Sequence, residues 1–286
     1  MPPAPATTLQ DRSRISPRAF ARIAAFIEGH AGIKMPQSKR LLVEGRLLRN
    51  VNSSPFGSID EYCDHVLSGD ANEAELRDLI NALTTNKTDF FREPGHFDYI
   101  RSVILPLFVK EGKTRVRCWS AAASTGMEAY TLAMVLADFV LHNAGPDFDI
   151  LATDIDTKVL QEARRGIYPL PSLAPVPPQM QQRYVQRANE PARKEGRIAP
   201  SLRRKIAFAQ LNLMDSHYPV GDPMDIIMCR NVLIYFEKAV QEKVIARLCQ
   251  KLRPGGYLLL GHSESIMGLD LPLETVGNTV FRKIGP

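Results

Sequence analysis

Cysteine is scarce in this chain, and the few cysteines lie far apart. The four stand far apart with no CxxC pair: Cys63, Cys118, Cys229 and Cys249. A disulfide framework or a zinc site would need closer spacing. We therefore expect a protein of a reducing compartment that holds no metal.

A secretion signal and a long apolar run are also missing. The opening MPPAPATTLQ lacks the charged and then apolar layout of a signal peptide. No later stretch reaches the roughly 18 uninterrupted apolar residues of a membrane span. We predict a disordered tail at residues 1–14 of a cytoplasmic protein with no membrane insertion.

Positive charge exceeds negative charge only slightly in this chain. The net charge is +5, the charged fraction 23% and the hydrophobic fraction 44%. These values are typical of a soluble globular protein, and such a modest excess does not by itself indicate a nucleic-acid partner. We expect an ordinary solvated surface and no nucleic acid.

Helical periodicity dominates the first part of the chain. Phe20, Ile23 and Ile27 recur at helical spacing, and later stripes continue the pattern to Leu83. We predict a small all-helical domain over residues 15–84. Its second helix, QSKRLLVEGRLLRN, carries Lys39, Arg40, Arg46 and Arg49, which by themselves favour a solvated basic face over a binding surface.

Strands and helices alternate after a linker and helix at 85–114. Apolar strands at 115–119, 149–156, 205–213, 224–236 and 257–264 are separated by helical segments. This alternation predicts a parallel sheet covered by helices on both faces, within a domain spanning 115–286. The proline-rich and basic segment at about 167–204 breaks the pattern, so we predict a small antiparallel insertion there.

The segment VRCWSAAASTGMEAY joins the first strand to a helix. Small residues and one glycine let a ligand approach bare backbone at the helix N-terminus. The Lys-Ser/Thr pair of a phosphate loop and the three glycines of a dinucleotide fingerprint are both absent. A nucleoside-binding loop and a plain strand-to-helix connection remain equal alternatives at this point.

Polar residues follow the ends of the later strands. Asp154 stands where such folds bind ribose hydroxyls, although Asp154 or Asp156 could instead cap the next helix. Asn212 and Leu213 suit either an adenine edge or a turn. Arg230 and Asn231 follow the fourth strand, at the lip of the same cleft.

Several unusual motifs together resemble one family, the chemotaxis receptor glutamate methyltransferases (CheR family). They run in order and at similar spacing over nearly the whole chain after the tail: INALTTNKTDFFRE, RCWSAAASTGMEAY, ATDIDTKVL, LNL, CRNVLIYFEKAVQEK and GHSE. The resemblance implies a helical domain and a Rossmann-like methyltransferase domain with a small β insertion. It also implies S-adenosylmethionine as cofactor and S-adenosylhomocysteine as product.

Site residues are implied by position within these motifs. Those matching the cofactor site are Asn86, Thr88, Arg92, Glu128, Asp154, Asn212, Leu213, Arg230 and Asn231. Arg92 and Tyr235 match the residues closest to the transferred methyl group. Lys39, Arg40, Arg46 and Arg49 match the element of the family that contacts the receptor.

The chain departs from the family after the loop glycine. The family usually has two glutamates and a proline there, whereas Gly126 is followed by Met127, Glu128 and Ala129. Met127 removes a carboxylate from a helix N-terminus, where negative charge is favoured by roughly 0.3–1 kcal/mol. We hypothesise weaker cofactor binding than in relatives with both glutamates.

The reaction that the resemblance implies is methyl transfer to glutamate carboxylates of a chemoreceptor's cytoplasmic helical bundle. A glutamate with a pKa near 4.3 is already ionised at neutral pH, so the enzyme must mainly position its substrate. We expect a monomer that is recruited to membrane receptor arrays. The single glycine of the insertion's RANEPARKEGRI stretch favours a chain that does not tether to a receptor's C-terminal peptide.

Two other functions stay open at this level. A nucleic-acid methyltransferase could use Cys229 as a nucleophile, although the proline expected before it is absent. A cofactor-binding adaptor without activity would fit the altered loop at Met127 and Ala129. Retention of Glu128, Asp154 and Arg92 argues against the adaptor.

Overall fold

The computed structural model describes residues 12–188, 190 and 192–285. The predicted tail at 1–14 therefore lies outside the described residues up to position 11, as do two positions of the RANEPARKEGRI stretch. The chain divides into two units. One unit comprises the chain up to Thr85 together with Tyr235–Glu237, and the other comprises Asn86–Ile234 with the chain from Lys238 onward.

The first unit is helical. Ser16 caps its first helix by accepting a hydrogen bond from the Ala19 backbone N–H, and Asn72 and Glu75 form a reciprocal capping box on the last. Buried stripes including Phe20, Ile23 and Leu47 form its core. The helices are α1 (Pro17–Ala31), α2 (Arg40–Asn52), α3 (Ile59–Val66) and α4 (Glu73–Leu83).

The second unit is built on a seven-stranded sheet with helices packed against it. Its first three helices are α5 (Pro94–Tyr99), α6 (Leu105–Lys110) and α7 (Met127–Asn143). Those that follow are α8 (Thr157–Arg165), α9 (Pro178–Tyr184), α10 (Pro200–Arg203) and α11 (Lys238–Lys251). The main sheet contains β1 (Arg115–Ala121), β2 (Asp147–Asp154), β6 (Ile206–Gln210), β7 (Met224–Cys229), β8 (Leu252–Leu260), β9 (Leu273–Gly277) and β10 (Val280–Lys283).

The strand order is β6-β2-β1-β7-β8-β10-β9. Neighbouring strands from β6 to β8 run parallel, and every residue of β7 is buried, as its unbroken apolar run predicts. The α/β fold with helices is confirmed. The predicted parallel sheet extends from β6 to β8, and the whole sheet is mixed because β10 pairs antiparallel with both β8 and β9. These last strands are short and partly exposed, so their apolar signal is weak.

The segment that breaks the alternation folds into a second, smaller sheet. Its strands are β3 (Ile167–Pro169), β4 (Val185–Arg187) and β5 (Glu195–Ile198). All pairs are antiparallel, with β5 in the centre. The predicted antiparallel insertion is confirmed.

The topology places the functional residues at one edge of the main sheet. β1 lies between β2 and β7: the chain passes from β1 to β2 on one side and returns from β6 to β7 on the other, so the strand order reverses at β1. Ligands of such sheets bind beyond the carboxyl ends of the strands at this point. Within the described part of the chain, no helix has the length and apolar character needed to span a bilayer.

Candidate functional site

Asp154 ends β2 and is almost fully buried, at 7% exposure. Its Oδ2 accepts a hydrogen bond from the Ser124 backbone N–H at 2.8 Å, and its Oδ1 accepts one from the Asp156 N–H at 2.9 Å. Burial raises the pKa of Asp154 to about 6, although these backbone hydrogen bonds act in the opposite direction. The contacts come from uncharged main-chain groups.

Asp156 takes the capping role that the sequence left open between the two aspartates. Its Oδ1 accepts from the backbone N–H groups of Lys158 and Val159, at 2.8 and 3.3 Å, at the start of α8. Its Oδ2 accepts from Asn86 Nδ2 at 2.6 Å. Asp154 is thereby left at the strand end without a capping role. We call Asn86, Ser124, Asp154 and Asp156 the β2 cluster.

The loop between β1 and α7 has an unusual backbone. Ala122 and Ser124 have φ values of 64° and 51°, a region that residues with a Cβ rarely adopt. Gly126 has φ 85°, and a Cβ there would lie 2.8 Å from the Ala163 Cβ. The Thr125 hydroxyl is buried without a hydrogen-bond partner among the described residues. Strain and an unsatisfied polar atom favour a ligand loop over a plain connection.

Arg230 follows β7, and its side chain is 1% exposed. Its guanidinium pairs with Glu93 Oε2 at 2.8 Å and with Glu128 Oε2 at 3.2 Å. Glu128 also accepts from the Ser120 hydroxyl at 2.7 Å. Burial raises the pKa of Glu128, against the attraction of Arg230. The arginine predicted to line the cofactor site therefore orients Glu128.

Glu93 joins the linker to the sheet. Besides Arg230, it accepts hydrogen bonds at Oε1 from Asn231 Nδ2 at 3.0 Å and from the His262 backbone N–H at 3.3 Å. Burial acts to raise the pKa of Glu93, but the hydrogen bonds from Asn231 and Arg230 outweigh it and lower the pKa to about 2. Glu93 is a fixed anion at neutral pH.

Glu264 shapes the loop after β7. Its carboxylate accepts from four backbone N–H groups at 2.6–3.0 Å: those of Asn231, Val232, Leu233 and Gly261. A Cβ on Gly261 would lie 2.6 Å from Asn231 Nδ2, so only glycine fits. We call Glu93, Glu128, Arg230, Asn231 and Glu264 the β7 cluster.

Backbone strain gathers around these two clusters. Non-glycine residues with positive φ include Phe91, Glu93, Ala122, Ser124 and Asn231, all in the loops just described. Residues held in such conformations cost of order 1–3 kcal/mol each and are concentrated at functional sites. The strain marks this edge of the sheet independently of the side-chain chemistry.

The remaining predicted residues of this unit are less tightly engaged. Asn212 Oδ1 accepts from the Met214 N–H at 3.0 Å, which is the turn geometry that the sequence left as one alternative. Leu213 is buried, Thr88 is half-buried, and Arg92 Nη1 donates to the Lys87 carbonyl at 3.0 Å.

Tyr235 and the basic helix belong to the helical unit. Lys39 Nζ lies 5.5 Å from the centre of the Tyr235 ring, a cation–π arrangement. Arg46 Nη1 donates to the carbonyls of Leu83 and Thr84, both at 2.8 Å, and Arg40 donates to the Ile15 carbonyl. Two of the four predicted receptor-contacting residues thus also hold their own domain together.

Sequence reasoning missed Glu93, Glu264 and His96. The first two lie in the quoted motifs TTNKTDFFRE and GHSE, but no role was assigned to them. Their partners lie far along the chain, 138 residues away for Asn231 and Glu93. The only signal in the sequence was an acidic residue within an unusual motif. Such a signal does not specify which distant residue the carboxylate contacts.

The sulfur chemistry needed by a cytosine methyltransferase is not supported. Cys229 is fully buried, and burial raises the pKa of its thiol well above the ordinary value. The reactive form of cysteine is the thiolate. Cys229 is therefore an inert core residue of β7.

The donor and acceptor set fits S-adenosylmethionine. The ligand carries ribose hydroxyls, which can donate hydrogen bonds to a buried carboxylate such as that of Asp154. It also carries a positively charged ammonium group, which the carboxylate of Glu128 would attract. The unsatisfied Thr125 hydroxyl lies in the loop between β1 and α7, the helix that carries Glu128. The residues present therefore suit a cationic nucleoside.

Comparison with known proteins identifies the family. Residues 18–84 match the model of the CheR methyltransferase all-alpha domain, and residues 86–282 match that of the CheR methyltransferase SAM binding domain. The chain is 39% identical to the chemotaxis protein methyltransferase of Salmonella typhimurium, covering 96% of this chain and 92% of that protein. It is 38% identical to that of Escherichia coli, with 96% and 93% covered. Chemotaxis protein methyltransferase 2 of Pseudomonas aeruginosa is 38% identical, with 87% of each chain covered. The chain thus belongs to the CheR methyltransferase family and is an S-adenosylmethionine-dependent methyltransferase.

Proposed function

We propose that the protein transfers a methyl group from S-adenosylmethionine to glutamate side chains in the cytoplasmic domains of chemoreceptors. The products are glutamate methyl esters and S-adenosylhomocysteine. The observation that carries the proposal is a pair of carboxylates next to the strained loop after β1, the buried Asp154 and the half-buried Glu128, in a chain of this family. The names of the relatives supply the link to chemotaxis.

The binding roles follow from the contacts. Asp154 accepts hydrogen bonds from the ribose hydroxyls. Backbone N–H groups hold its side chain in place, and the capping of α8 is done by Asp156 instead. Glu128, held by Arg230 and Ser120, accepts the ammonium group of the methionine portion. Asn86, Asn231 and the backbone at Asn212 and Leu213 complete the proposed cofactor site. When bound, S-adenosylmethionine supplies an activated methyl group on a sulfonium centre.

Arg92 is the proposed orienting residue for the substrate carboxylate. A glutamate is ionised at neutral pH, so the residues of the enzyme need not remove a proton. Holding the reacting groups in line can supply roughly 7–11 kcal/mol of the barrier. The hydrogen bond from Arg92 to the Lys87 carbonyl fixes part of the guanidinium and leaves other N–H donors for a carboxylate. Tyr235 is a second proposed orienting group.

The basic helix is the proposed receptor contact. Arg49 is exposed on α2, and Lys39 is half-buried beside the Tyr235 ring. The guanidinium groups of Arg46 and Arg40 donate hydrogen bonds to backbone carbonyls of the helical unit. Reversing the charge in Arg49→Glu should therefore raise KM for the receptor and reduce its salt dependence without changing kcat.

The reaction class is tested by transferring label from S-adenosyl[methyl-³H]methionine to a chemoreceptor cytoplasmic fragment. Mild alkali should then release the label as volatile methanol, as expected for a carboxyl ester. A receptor fragment with its methyl-accepting glutamates replaced by alanine serves as the control. Cofactor binding without transfer would instead support a non-catalytic adaptor.

Arg92→Ala should lower kcat strongly, with Arg101→Ala as the matched control. Arg101 is an exposed arginine of the same unit, and it forms an ion pair with its neighbour Asp98 at 2.9 Å. Normal turnover of Arg92→Ala at saturating receptor would show that Arg92 does not orient the substrate carboxylate. Tyr235→Phe tests the second group in the same assay.

A further inference from the structure

Glu93, His96 and His262 form a cluster with the composition of a metal site. One potential ligand atom from each residue lies within 4.8 Å of the others. The cluster joins the linker, α5 and the turn after β8. Only Glu93 belongs to the clusters described above, where it is held by Arg230 and Asn231.

The tautomer of His96 is fixed by its surroundings. Nε2 lies 3.1 Å from the Asn278 carbonyl and 2.9 Å from the Thr279 hydroxyl. A carbonyl oxygen can only accept, so Nε2 must carry a hydrogen. In the neutral imidazole that binds a metal, Nδ1 then presents a lone pair.

That lone pair lacks a partner. The His96 side chain is 2% exposed, and Nδ1 is buried without a hydrogen bond among the described residues. Glu93 Oε2, which is also an acceptor, lies 3.6 Å from Nδ1. Two electron-rich atoms thus face each other in a buried place, an arrangement that costs free energy unless a donor or a cation is shared.

A cation at this place would satisfy both atoms. Zinc binds nitrogen and carboxylate oxygen at about 2.0–2.2 Å, so two ligand atoms of a tetrahedral site lie about 3.3–3.5 Å apart. The separation of 3.6 Å between His96 Nδ1 and Glu93 Oε2 is close to this value. Little movement of the buried pair is required.

His262 supplies the third ligand from the solvent side. It is exposed, and its ring centre lies 5.1 Å from that of His96 at an interplanar angle of 72°. Its backbone N–H already bonds Glu93 Oε1 at 3.3 Å, which keeps the residue next to the pair. An exposed imidazole can rotate to close the site at small cost.

The local charge balance also favours a cation. The carboxylates of Glu93, Glu128 and Glu264 outnumber the guanidinium of Arg230, which pairs with only the first two. A metal on Glu93 Oε2 would compete with Arg230 for that oxygen. The remaining pair with Glu128 at 3.2 Å would still hold the arginine.

We propose that Glu93, His96 and His262 bind a divalent transition-metal ion, with zinc as the best match and a water molecule in the open position. Two imidazole nitrogens and one carboxylate suit zinc and its neighbours, whereas magnesium and calcium prefer all-oxygen sites. The proposal departs from the expectation of no metal, which rested on the spacing of the cysteines. It does not depend on the methyl acceptor.

Calorimetric titration of the full chain with ZnCl₂, after removal of any histidine tag, tests the proposal. We expect one equivalent bound at micromolar affinity or better. His262→Ala should fold normally because the side chain is exposed, and should weaken binding at least about tenfold. His142→Ala is the matched control, since His142 is exposed and also has a carboxylate nearby, Asp138 at 3.8 Å. Its affinity should equal that of the unmodified protein.

Cobalt provides a second readout. Co²⁺ should gain visible absorption on entering a site of low coordination number, and zinc should displace it. Glu93→Gln should weaken the Co²⁺ signal as His262→Ala does. Equal zinc affinity in the unmodified protein and His262→Ala, or no binding at tens of micromolar zinc, would overturn the proposal. Either result is independent of methyl transfer.

Discussion

The two clusters at the edge of the sheet hold their carboxylates in opposite ways. In the β2 cluster, Asp154 is held by uncharged backbone N–H groups, and its pKa is raised to about 6. In the β7 cluster, Glu93 is held by a guanidinium and an amide, and its pKa is lowered to about 2. The contacts of the first carboxylate are uncharged, and it can still accept hydrogen bonds from ligand hydroxyls, whereas the second is already part of an ion pair. Apart from the proposed binding residue Glu128, mutations in the β7 cluster should therefore mainly affect stability, and mutations in the β2 cluster should mainly affect ligand binding.

Replacing Arg230 should have the largest effect. Arg230→Met removes a buried guanidinium and leaves the half-buried carboxylates of Glu93 and Glu128 without their partner; breaking such a pair typically costs about 3–5 kcal/mol in the free energy of unfolding. Arg115→Met is the control, because Arg115 pairs with Asp149 at an exposed position and should cost about 0–1 kcal/mol. Urea unfolding measures both. Similar losses for the two variants would contradict the comparison.

Asp154→Asn should weaken cofactor binding and cost about 1–3 kcal/mol of stability, because the amide leaves one of the two backbone N–H groups unpaired. Hydrogen bonds to a charged acceptor contribute about 1.5–3 kcal/mol, so the dissociation constant should rise roughly 10- to 150-fold. Asp149→Asn, an exposed change in the same strand, should have no effect on binding. Calorimetric titration with S-adenosylhomocysteine gives the affinities. An unchanged dissociation constant for Asp154→Asn would exclude the ribose-binding role.

Glu264→Gln should destabilise the loop after β7. An amide replaces one oxygen by an NH₂ group, which faces backbone donors and leaves some of the four N–H groups unpaired. The cost should be about 1–3 kcal/mol. Glu274→Gln, at an exposed position that faces Arg282 at 3.5 Å, should change stability little. Hydrogen exchange at Val232 and Leu233 would show whether the loss is local.

Lowering the pH should weaken cofactor binding through Asp154. The pKa of about 6 in the free protein exceeds the ordinary value of 3.8, so Asp154 takes up a proton as the pH falls below 6. A protonated carboxyl accepts hydroxyl donors poorly, and the dissociation constant should rise by up to about tenfold per pH unit below that point. The same raised pKa reduces the stability of the free protein as the pH rises from 3.8 to 6. Asp154→Asn should lose both the pH dependence of cofactor binding and that of stability. If this variant kept the pH dependence of the unmodified protein, Asp154 would not be the group responsible.

Met127→Glu should have the smallest effect, and in the favourable direction. Met127 is the first residue of α7, where a carboxylate interacts well with the helix N-terminus. An increase in cofactor affinity of roughly two- to fivefold is expected. Met267→Glu, at a position that is 86% exposed, is the control. Weaker binding of Met127→Glu would reject the hypothesis that this chain lost affinity at that position.

The sequence predicted the β2 cluster better than the β7 cluster, for a physical reason. Asp154 and the capping aspartate follow directly from a strand end and a helix start, which are local patterns. Glu93 and Glu264 act through partners 137 and 33 residues away, and no local pattern specifies such pairs. The antiparallel strands β9 and β10 were missed for a related reason, since their burial is partial and their pairing is set by tertiary packing.

The dependence of the β7 loop on Glu264 has a consequence for the order of folding. The ribosome releases Asn231, Val232 and Leu233 well before Glu264, whose carboxylate is needed to satisfy their backbone N–H groups. A nascent chain that stops before β8 is complete therefore lacks the anchor of this loop. Because contacts at such sequence separations form late, the site should assemble only after the sheet has closed around β8. Limited proteolysis of arrested nascent chains would detect this delay as a loop that stays cleavable until residue 264 has emerged.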